Sequence, residues 1–313
     1  MNIALDMMGG DFAPTEAFKG VVEFLHDNKN PVDLLLIGDE AQINALLQQS
    51  PVRNTKVVHA AEIIGMHEHP TKALREKPKS SISIGFHLLS TGKCDAFISA
   101  GNTGAMLVGA LYSIKAIKGV LRPTISTIIP KDSGGTGLLL DVGLNADCKP
   151  ENLNQFAVLG SLYQKYISGI DNPRVALINI GEEEGKGNLL AQATYPLLKE
   201  NSSINFIGNV EGRDIFKDSA DVMVCEGFTG NIILKLAESI FDITQEKNIR
   251  HDYLERFNFE NYGGTPVLGV SKPVIIGHGI SHAKAFANMI RLAEKMIESD
   301  LLGKMSTAFA EQE

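Results

Sequence analysis

The sequence predicts an α/β protein in which a largely parallel sheet is covered by helices on both faces. Short apolar runs alternate with amphipathic segments along most of the chain, as expected for parallel strands joined by helices. Several apolar runs end in a glycine turn, and no tandem repeat or low-complexity linker interrupts the alternation. We expect a single α/β domain over residues 1–313, with a short helical excursion at about 232–262.

The strands are predicted from short runs of β-branched residues and leucine that are bounded by glycine or polar residues. Two of them, at 125–129 and 138–142, should form an antiparallel hairpin, because the connection is too short for a parallel crossover. The remaining strands are expected at 2–5, 33–37, 56–59, 96–98, 174–180, 204–207, 221–225 and 273–276.

The helices are predicted from apolar residues that recur three or four positions apart and from residues that favour helix ends. Pro14 lies at an early position of the first helix, and Ser80 or Ser81 can cap a later one. Helices are expected from about 14, at 40–49, from 80 or 81, at 106–118, from 151, from 188, from 232 and at 283–298.

Residues 65–81 concentrate positive charge in an otherwise acidic chain. The segment is either a solvated loop before an ordinary helix cap or a basic rim for an acidic partner or a phosphate group. Both interpretations remain open from the sequence. The basic residues are Lys72, Arg75, Lys77 and Lys79.

Composition and charge exclude several classes of protein. The formal net charge of −8 argues against a nucleic-acid-binding protein. Cys94, Cys148 and Cys225 lie far apart, which indicates a reducing compartment, favours structural roles and argues against a disulfide framework or a zinc site. The chain begins in a predicted strand, and no apolar run is long enough to span a bilayer, so we expect a cytoplasmic protein.

Residues 99–105 form the most informative local pattern. They join a buried strand to a helical segment through Gly101 and Gly104, which allow a ligand to approach the backbone closely. The first N–H groups of a helix have no partner within it, so an anion is the natural occupant of such a junction. Asn102 and Thr103 add hydrogen-bonding side chains. The alternative is an ordinary capped turn.

Similar glycine turns follow other predicted strands, and a parallel sheet brings such turns to one edge. No nucleotide signature of the GxxxxGK[ST] or GxGxxG type is present, so ATP and NAD have no specific support. The turns predict a cleft rich in backbone donors that suits phosphate or a developing oxyanion, with Lys186, Lys235 and His278 as candidate cations. They contain Gly9, Gly101, Gly143, Gly181, Gly227 and Gly277.

Seven segments carry a resemblance: LDMMGGD, SAGNTGA, LDVGLNADCKPENLNQFA, GEEEGKGN, EGFTGN, YGGTPVLG and GHGISHAKAF. Over residues 2 to about 296 the chain resembles the bacterial acyl-ACP:phosphate acyltransferases of phospholipid synthesis, the PlsX family. The resemblance implies a homodimer with a Rossmann-like α/β/α fold similar to phosphotransacetylases and the isocitrate dehydrogenase type. It implies that long-chain acyl-ACP (acyl carrier protein) reacts with inorganic phosphate to give acyl phosphate and ACP, without metal or organic cofactor.

The matched segments also imply roles for individual residues. Phosphate is the nucleophile of this reaction and has only to be held and aimed at the thioester carbonyl. We expect Lys186 and the donors around Asn102 and Thr103 to bind phosphate or the carbonyl oxygen, and Asn231 and His278 to orient the reacting groups. The other expected substrate-binding residues are Asp6, Gly9, Gly10, Asp11, Ser99, Gly101, Gly104, Asn145, Asp147, Lys149, Gly187, Asn188, Thr229 and Gly230.

The resemblance further implies that acyl phosphate passes to a membrane-bound glycerol-3-phosphate acyltransferase, so that the protein would work at the inner face of the membrane. Family members usually carry a long helical hairpin with an apolar tip before YGG, but here the interval 232–262 is short. Tyr253, Leu254, Phe257 and Phe259 form only a small apolar patch, so we expect at most weak, reversible attachment. Basic residues here either meet the acidic ACP or form a solvated helix face: Lys247, Arg250 and Arg256.

Three alternatives remain from the sequence. A phosphotransacetylase-like enzyme would use acyl-CoA and would need a basic pocket for the CoA phosphates. A non-catalytic protein would bind acyl phosphate or scaffold lipid-synthesis enzymes without consuming thioester in a phosphate-dependent manner. A nicotinamide-dependent dehydrogenase can share the fold, since fold alone does not decide function.

Overall fold

The computed structural model describes residues 1–310 and divides the chain into two compact units. Unit 1 comprises Met1–Ala116 and Phe259–Leu302, and unit 2 comprises Ile117–Asn258 and the chain from Gly303 onward. Each unit is therefore built from two separate stretches of sequence. The expectation of one domain over the whole chain stays a prediction.

The strands of unit 1 are mostly parallel. They are β1 (Asn2–Asp6), β2 (Asp33–Gly38), β3 (Thr55–His59), β4 (Ala96–Ser99), β10 (Thr265–Leu268) and β11 (Val274–Ile276). The strand order is β3-β2-β1-β4-β11-β10, with only the β10–β11 pair antiparallel among them. The helices of this unit are α1 (Thr15–Asp27), α2 (Glu40–Gln49), α3 (Pro70–Glu76), α4 (Ser81–Ser90), α5 (Thr103–Gly109) and α10 (Ala283–Glu298).

Unit 2 repeats the architecture with an antiparallel hairpin at one side. Its strands are β5 (Thr124–Pro130), β6 (Thr136–Leu140), β7 (Arg174–Ile178), β8 (Asn205–Val210) and β9 (Val222–Val224). They are ordered β5-β6-β9-β7-β8, and the predicted β5–β6 hairpin is confirmed. Its helices are α6 (Pro150–Ser168), α7 (Leu189–Glu200), α8 (Gly227–Glu246), α9 (Asp252–Glu255) and most of α11 (Leu301–Ala310). The predicted α/β class with a largely parallel sheet is therefore confirmed.

Two predicted helix boundaries are wrong. The helix expected over 106–118 begins earlier as α5, continues as a single π-helical turn over Ala110–Ile114 and then ends, because Lys115 adopts a positive φ of 67°. The helix expected from 232 begins at Gly227, because the Glu226 side chain caps it there. The sequence EGFTGN is thus not a free turn, since most of it forms the first turn of α8.

Three elements were missed, and one strand was predicted too long. The short helix α3 lies within the basic segment 65–81, β10 carries a proline between flanking glycines, and α11 follows α10 after a turn in which Asp300 has a φ of 50°. The strand expected over 174–180 ends at Ile178. None of the helices within residues 1–310 is long and apolar enough to cross a membrane.

Candidate active site

In unit 1 a buried hydrogen-bond network holds the turn after β4. The Ser99 hydroxyl donates to Asp6 Oδ2 at 2.7 Å and accepts the Gly101 N–H at 2.9 Å. Asp6 Oδ1 accepts the Met8 N–H at 2.9 Å. Because Asp6 and Ser99 are both buried, their polar groups fix the shape of the turn from inside the fold.

Burial also determines the electrostatics of this network. Removal from water raises the pKa of Asp6 above its ordinary value, and hydrogen bonds from Ser99, Ser81, Met8 and Gly9 offset part of that rise. The carboxyl group is therefore less acidic than a solvent-exposed aspartate, and its charge is stabilised mainly by neighbouring N–H and O–H groups.

Asn102 caps α5 and also tethers the segment before α3. Its Oδ1 accepts the Ala105 N–H at 2.9 Å. Its Nδ2 donates to the carbonyl oxygens of Gly65, Met66 and Glu68 at 2.9, 3.2 and 3.0 Å. The side-chain amide is thus used inside the fold, and it positions the basic segment relative to the turn.

Close packing explains why glycines occupy these turns. A Cβ at Gly9 would lie 2.6 Å from the Gly101 nitrogen, and one at Gly104 would overlap the ring of Pro70. Gly10 has a φ of 96°, a conformation that side chains other than glycine rarely adopt. These glycines allow two backbone segments to meet, which is a structural requirement independent of any ligand.

The remaining predicted residues of unit 1 lie at its surface. Asp11 is exposed, and its N–H donates to the Gly279 carbonyl at 2.7 Å, which joins the segments that follow β1 and β11. His278 is half-buried, with its ring centroid 4.4 Å from that of Phe259. Thr103 is exposed at the first position of α5. Asp11, Thr103 and His278 therefore present side chains that a ligand can reach.

In unit 2 the buried Asp141 organises the segment after β6, and sequence reasoning missed it. Its Oδ1 accepts the N–H groups of Gly143 and Leu144 at 3.2 and 3.1 Å. Its Oδ2 accepts two hydrogen bonds from Asn145, one from the backbone N–H at 2.6 Å and one from the side-chain Nδ2 at 2.7 Å. Asn145 Nδ2 also donates to the Pro123 carbonyl. An aspartate at a strand end shortly before a glycine is the pattern that indicates such a turn. Asn145 is thus part of the scaffold.

The start of α8 is occupied by a carboxylate of the chain itself. Glu226 Oε2 accepts the Thr229 N–H at 2.7 Å, and its other carboxylate oxygen accepts the Thr229 hydroxyl. A Cβ at Gly230 would overlap the carbonyl of Asp141, so α8 packs directly on the strand end. The helix dipole at this end is therefore already partnered by negative charge.

Hydrogen bonds to the backbone fix the segment before α7. Asn179 Nδ2 donates to the Lys186 carbonyl at 3.1 Å, and Gly187 has a φ of 97° close to Asn179. Asn188 caps α7, because its Oδ1 accepts the Ala191 N–H at 2.8 Å. The backbone at Lys186 is thus fixed, whereas its side chain extends from a defined position.

Lys186 differs from the other predicted cation of unit 2. Its side chain is exposed and, among residues 1–310, its ammonium group has no ion-pair partner. Lys235, by contrast, pairs with Glu238 at 2.7 Å. An exposed ammonium without a counter-charge is available to an anionic ligand, so the structure favours Lys186 over Lys235 as the anion-binding group.

Three further predicted residues of unit 2 lie near its surface. Asn231 is half-buried, and its Nδ2 donates to the Val142 carbonyl at 3.2 Å. Asp147 is exposed, and its carbonyl accepts a hydrogen bond from Arg122 at 2.9 Å. Lys149 is exposed at the start of α6. These residues flank the segments organised by Asp141 without being part of its buried network.

A cavity of about 590 Å³ opens in unit 2 beside the first turns of α7 and α8. Gly187, Asn188 and Thr229, which the sequence pointed to, form part of its wall. The cavity is of a size that holds small organic ligands in other proteins.

None of the three cysteines is a candidate nucleophile. Burial, and secondarily the nearby Asp141 charge, raises the pKa of the Cys148 thiol to about 12. Burial likewise raises the pKa of Cys94 to about 12 and that of Cys225 well above its ordinary value. The thiolate is the reactive form, so these thiols are inert at neutral pH.

The whole-chain comparison decides the family. The family model described as fatty acid synthesis protein matches residues 1–304. The chain belongs to this family. It is 44% identical to the phosphate acyltransferase of Dictyoglomus turgidum, over 97% of this chain and 96% of that protein. It is also 44% identical to the phosphate acyltransferase of Halothermothrix orenii, over 97% of each. The chain is accordingly an enzyme of the acyltransferase class.

Solved structures support the fold. A phosphotransacetylase from Streptococcus pyogenes superimposes with a TM-score of 0.64 at 17% identity, over 95% of this chain and 94% of that one. The EutD phosphotransacetylase from Staphylococcus aureus gives 0.63, also at 17% identity and with the same coverage. The expected similarity to the phosphotransacetylase fold is therefore confirmed, and at this identity it concerns the fold alone.

Proposed function

We propose that this enzyme transfers a long-chain acyl group from ACP to inorganic phosphate, giving acyl phosphate and free ACP for phosphatidic acid and phospholipid synthesis. The observation that carries the proposal is the 44% identity to phosphate acyltransferases along nearly the full length of the chain. The accessible, unpaired ammonium of Lys186 agrees with an anionic substrate.

The chemistry requires no covalent intermediate on the enzyme. A phosphate oxygen attacks the thioester carbonyl carbon, the carbon–sulfur bond breaks, and the sulfur of the carrier leaves as a thiolate that takes up a proton. Because the cysteine thiols are neutral, direct attack by phosphate is favoured over an acyl-cysteine. Holding phosphate close to the carbonyl and stabilising the developing oxyanion supply the catalysis.

We assign roles according to accessibility. In unit 2, Lys186 binds phosphate or the carbonyl oxygen, and Asn231 orients a reacting group. In unit 1, Asp11, Thr103 and His278 offer accessible polar groups to the substrate. The buried members of the expected site, Asp6, Ser99, Asn102 and Asn145, act by holding the turns in place.

We further propose a homodimer. One face of α8 exposes a stripe of apolar side chains, with Phe228, Ile232, Leu236 and Ile243 each more than half exposed. Soluble monomers rarely leave such a continuous patch uncovered. The expected molar mass by light scattering is that of a dimer, and Leu236→Glu should shift it toward monomer while Lys235→Glu should not.

We also propose a cytoplasmic location with at most weak membrane attachment, from which acyl phosphate passes to a membrane-bound glycerol-3-phosphate acyltransferase. Phe257 is buried against Phe216 and Tyr253, and the Tyr253 hydroxyl donates to the Pro130 carbonyl. The patch near α9 is therefore largely used in packing. Strong flotation with liposomes that is lost when Leu254 and Phe257 are both changed to Ser would contradict this.

The reaction is tested with purified palmitoyl-ACP in the presence and absence of inorganic phosphate, with hydroxylamine to trap acyl phosphate. Phosphate-dependent release of ACP with formation of the hydroxamate is the expected result. Palmitoyl-CoA is tested as acyl donor in the same assay. Turnover equal to or above that with palmitoyl-ACP would mean that acyl-CoA is the donor. Tight binding of acyl phosphate without any thioester loss would instead indicate a non-catalytic protein.

A further inference from the structure

The cavity of unit 2 has an apolar interior. Its volume is about 590 Å³, and its most buried lining side chains come from α6, β7, the segment after β8 and the residue that follows β9. These are Leu153, Leu177, Ile215 and Cys225, each at most 4% exposed. Cys225 contributes a neutral thiol, because burial holds its pKa well above the ordinary value. The interior is therefore suited to a hydrocarbon group.

The polar side chains of the cavity wall lie after the end of β7, at Asn179, and where the two helices begin. Asn188 is the N-cap of α7, and Thr229 lies in the first turn of α8, bonded to Glu226. Lys186, the unpaired ammonium, precedes Asn188 by two residues. An occupant of the cavity would thus have its apolar part among the buried side chains and its polar end near the proposed anion-binding segment.

The residues that line the cavity favour an aliphatic ligand over a nucleotide or CoA. None of the described residues that line the cavity is basic, so nucleotide or CoA phosphates have no counter-charge within it. Aromatic side chains are also absent from those lining residues, which gives no stacking surface for a base or sugar. An unbranched aliphatic chain needs neither, because its binding depends on apolar area alone.

We propose that this cavity holds the acyl chain of the substrate and that Ala191 and Ile233 set the length of chain it accepts. Ala191 lies in the first turn of α7 and is nearly buried, so its small side chain leaves space that a larger residue would fill. Ile233 lines the cavity from α8. The inference rests on the proposed function, since it places the acyl group of that reaction.

The test compares acyl-ACP substrates of different length in the trapping assay. Ala191→Leu adds three carbon atoms to the cavity, and each buried methylene contributes about fourfold to affinity. We expect the ratio of kcat/KM for palmitoyl-ACP over octanoyl-ACP to fall on the order of 50-fold, mainly through the palmitoyl value. Ile233→Ala enlarges the cavity and should raise that ratio or extend activity to longer chains.

Ala193→Leu is the matched control, because Ala193 is exposed on the same helix and does not line the cavity. It should leave the ratio unchanged. If Ala191→Leu and Ile233→Ala, both folded by circular dichroism, give the same ratio as Ala193→Leu while acyl phosphate is still formed, the acyl-chain assignment is wrong and the proposed function stands.

A binding measurement separates the two proposals when no acyl phosphate is formed. The fluorescence of cis-parinaric acid reports entry of a fatty acyl chain into an apolar cavity without any turnover. We expect saturable binding by the wild-type protein that is weakened about tenfold or more in Ala191→Leu but not in Ala193→Leu. This result supports the assignment of the cavity to the acyl chain. Binding that is equal in both variants, or absent from the wild type, overturns it.

Discussion

The turn after β4 and the segment before α7 share a local sequence pattern, a buried strand followed by glycines and a capped helix, but they use their polar groups differently. At the turn after β4, Ser99 and Asn102 are buried, and both are hydrogen-bonded to distant segments: Ser99 to Asp6 at the end of β1, and Asn102 to the carbonyl of Gly65. Before α7, the backbone is fixed, yet the Lys186 ammonium is exposed and, within the described chain, unpaired.

The comparison teaches that similar strand-end turns can support either architecture or chemistry. Polar groups that are satisfied within the fold stabilise it and resist binding a ligand, because the ligand would have to replace existing hydrogen bonds. A group held in position but left unpaired can bind substrate at little structural cost. Changes to the buried polar groups after β4 should therefore act on stability, whereas a change to the exposed Lys186 before α7 should act on activity.

The largest expected effect is that of Lys186→Ala on turnover. Loss of a positioned donor to phosphate or to the oxyanion should lower kcat/KM about 100-fold or more. The free energy of unfolding should change little, because the ammonium group is exposed and has no ion-pair partner among residues 1–310. Lys199→Ala is the control, since Lys199 is also exposed but pairs with Glu184 at 2.9 Å. Near wild-type turnover of Lys186→Ala at both low and saturating phosphate would exclude Lys186 from the site.

Asn102→Ala should have the next largest effect, on stability. The substitution removes a helix cap and leaves three carbonyl oxygens without their donor, so the free energy of unfolding in urea should fall by roughly 2 kcal/mol. Asn102→Asp keeps the cap but loses the donor, and it should show how much of the loss comes from the tether to residues 65–68. A stability equal to wild type in Asn102→Ala would mean that the turn is not held by this side chain.

Asn188→Ala removes the cap of α7 and should lower the free energy of unfolding by about 1 kcal/mol. Asp39→Ala removes the corresponding cap of α2, where Asp39 accepts the Gln42 N–H at 2.9 Å, and serves as the matched variant. We expect a similar loss of stability in both and reduced acyl phosphate formation only in Asn188→Ala. Equal activity in the two variants would remove Asn188 from the substrate site.

The smallest expected effect is a pH dependence that arises from Asp6. Because burial raises the pKa of Asp6 in the folded state, the folded protein binds this proton more tightly than the unfolded chain does. The stabilisation that the protonated Asp6 carboxyl group provides is therefore lost as the pH rises from the ordinary pKa of an aspartate through the folded-state pKa of Asp6. Asp6→Asn cannot ionise, so relative to the variant the wild type should lose stability between acidic and neutral pH. Parallel pH–stability curves would contradict the raised pKa.

The linear pattern of the sequence determined most of the secondary structure. Helices α2 and α10 begin and end where the periodicity indicated, and the β5–β6 hairpin followed from the length of its connection. Such features depend on residues within a few positions of one another. The family was also recognisable from the order of short segments, which needs no knowledge of contacts.

Errors occurred where a local pattern had more than one solution. The segment EGFTGN contains two glycines and was interpreted as a turn, but Glu226 caps the helix and Gly230 allows it to pack on the Asp141 carbonyl. The side chain of Asp141 binds the backbone of the turn that follows it, but its burial and its contact with the Ile125 N–H arise only when the chain folds back on it. Neither feature has a periodicity that could reveal it.

The sequence by itself thus determined the fold class, with helices covering a largely parallel sheet. It also determined the net negative charge and the strand-end turns that carry the motifs. Only the tertiary structure decided which polar groups in those turns are already partnered. Ser99 meets Asp6 across 93 positions of sequence, and Asn102 meets Gly65 across 37. Hydrogen-bond satisfaction depends on such distant neighbours, whereas the preference for strand, turn or helix is set by adjacent residues.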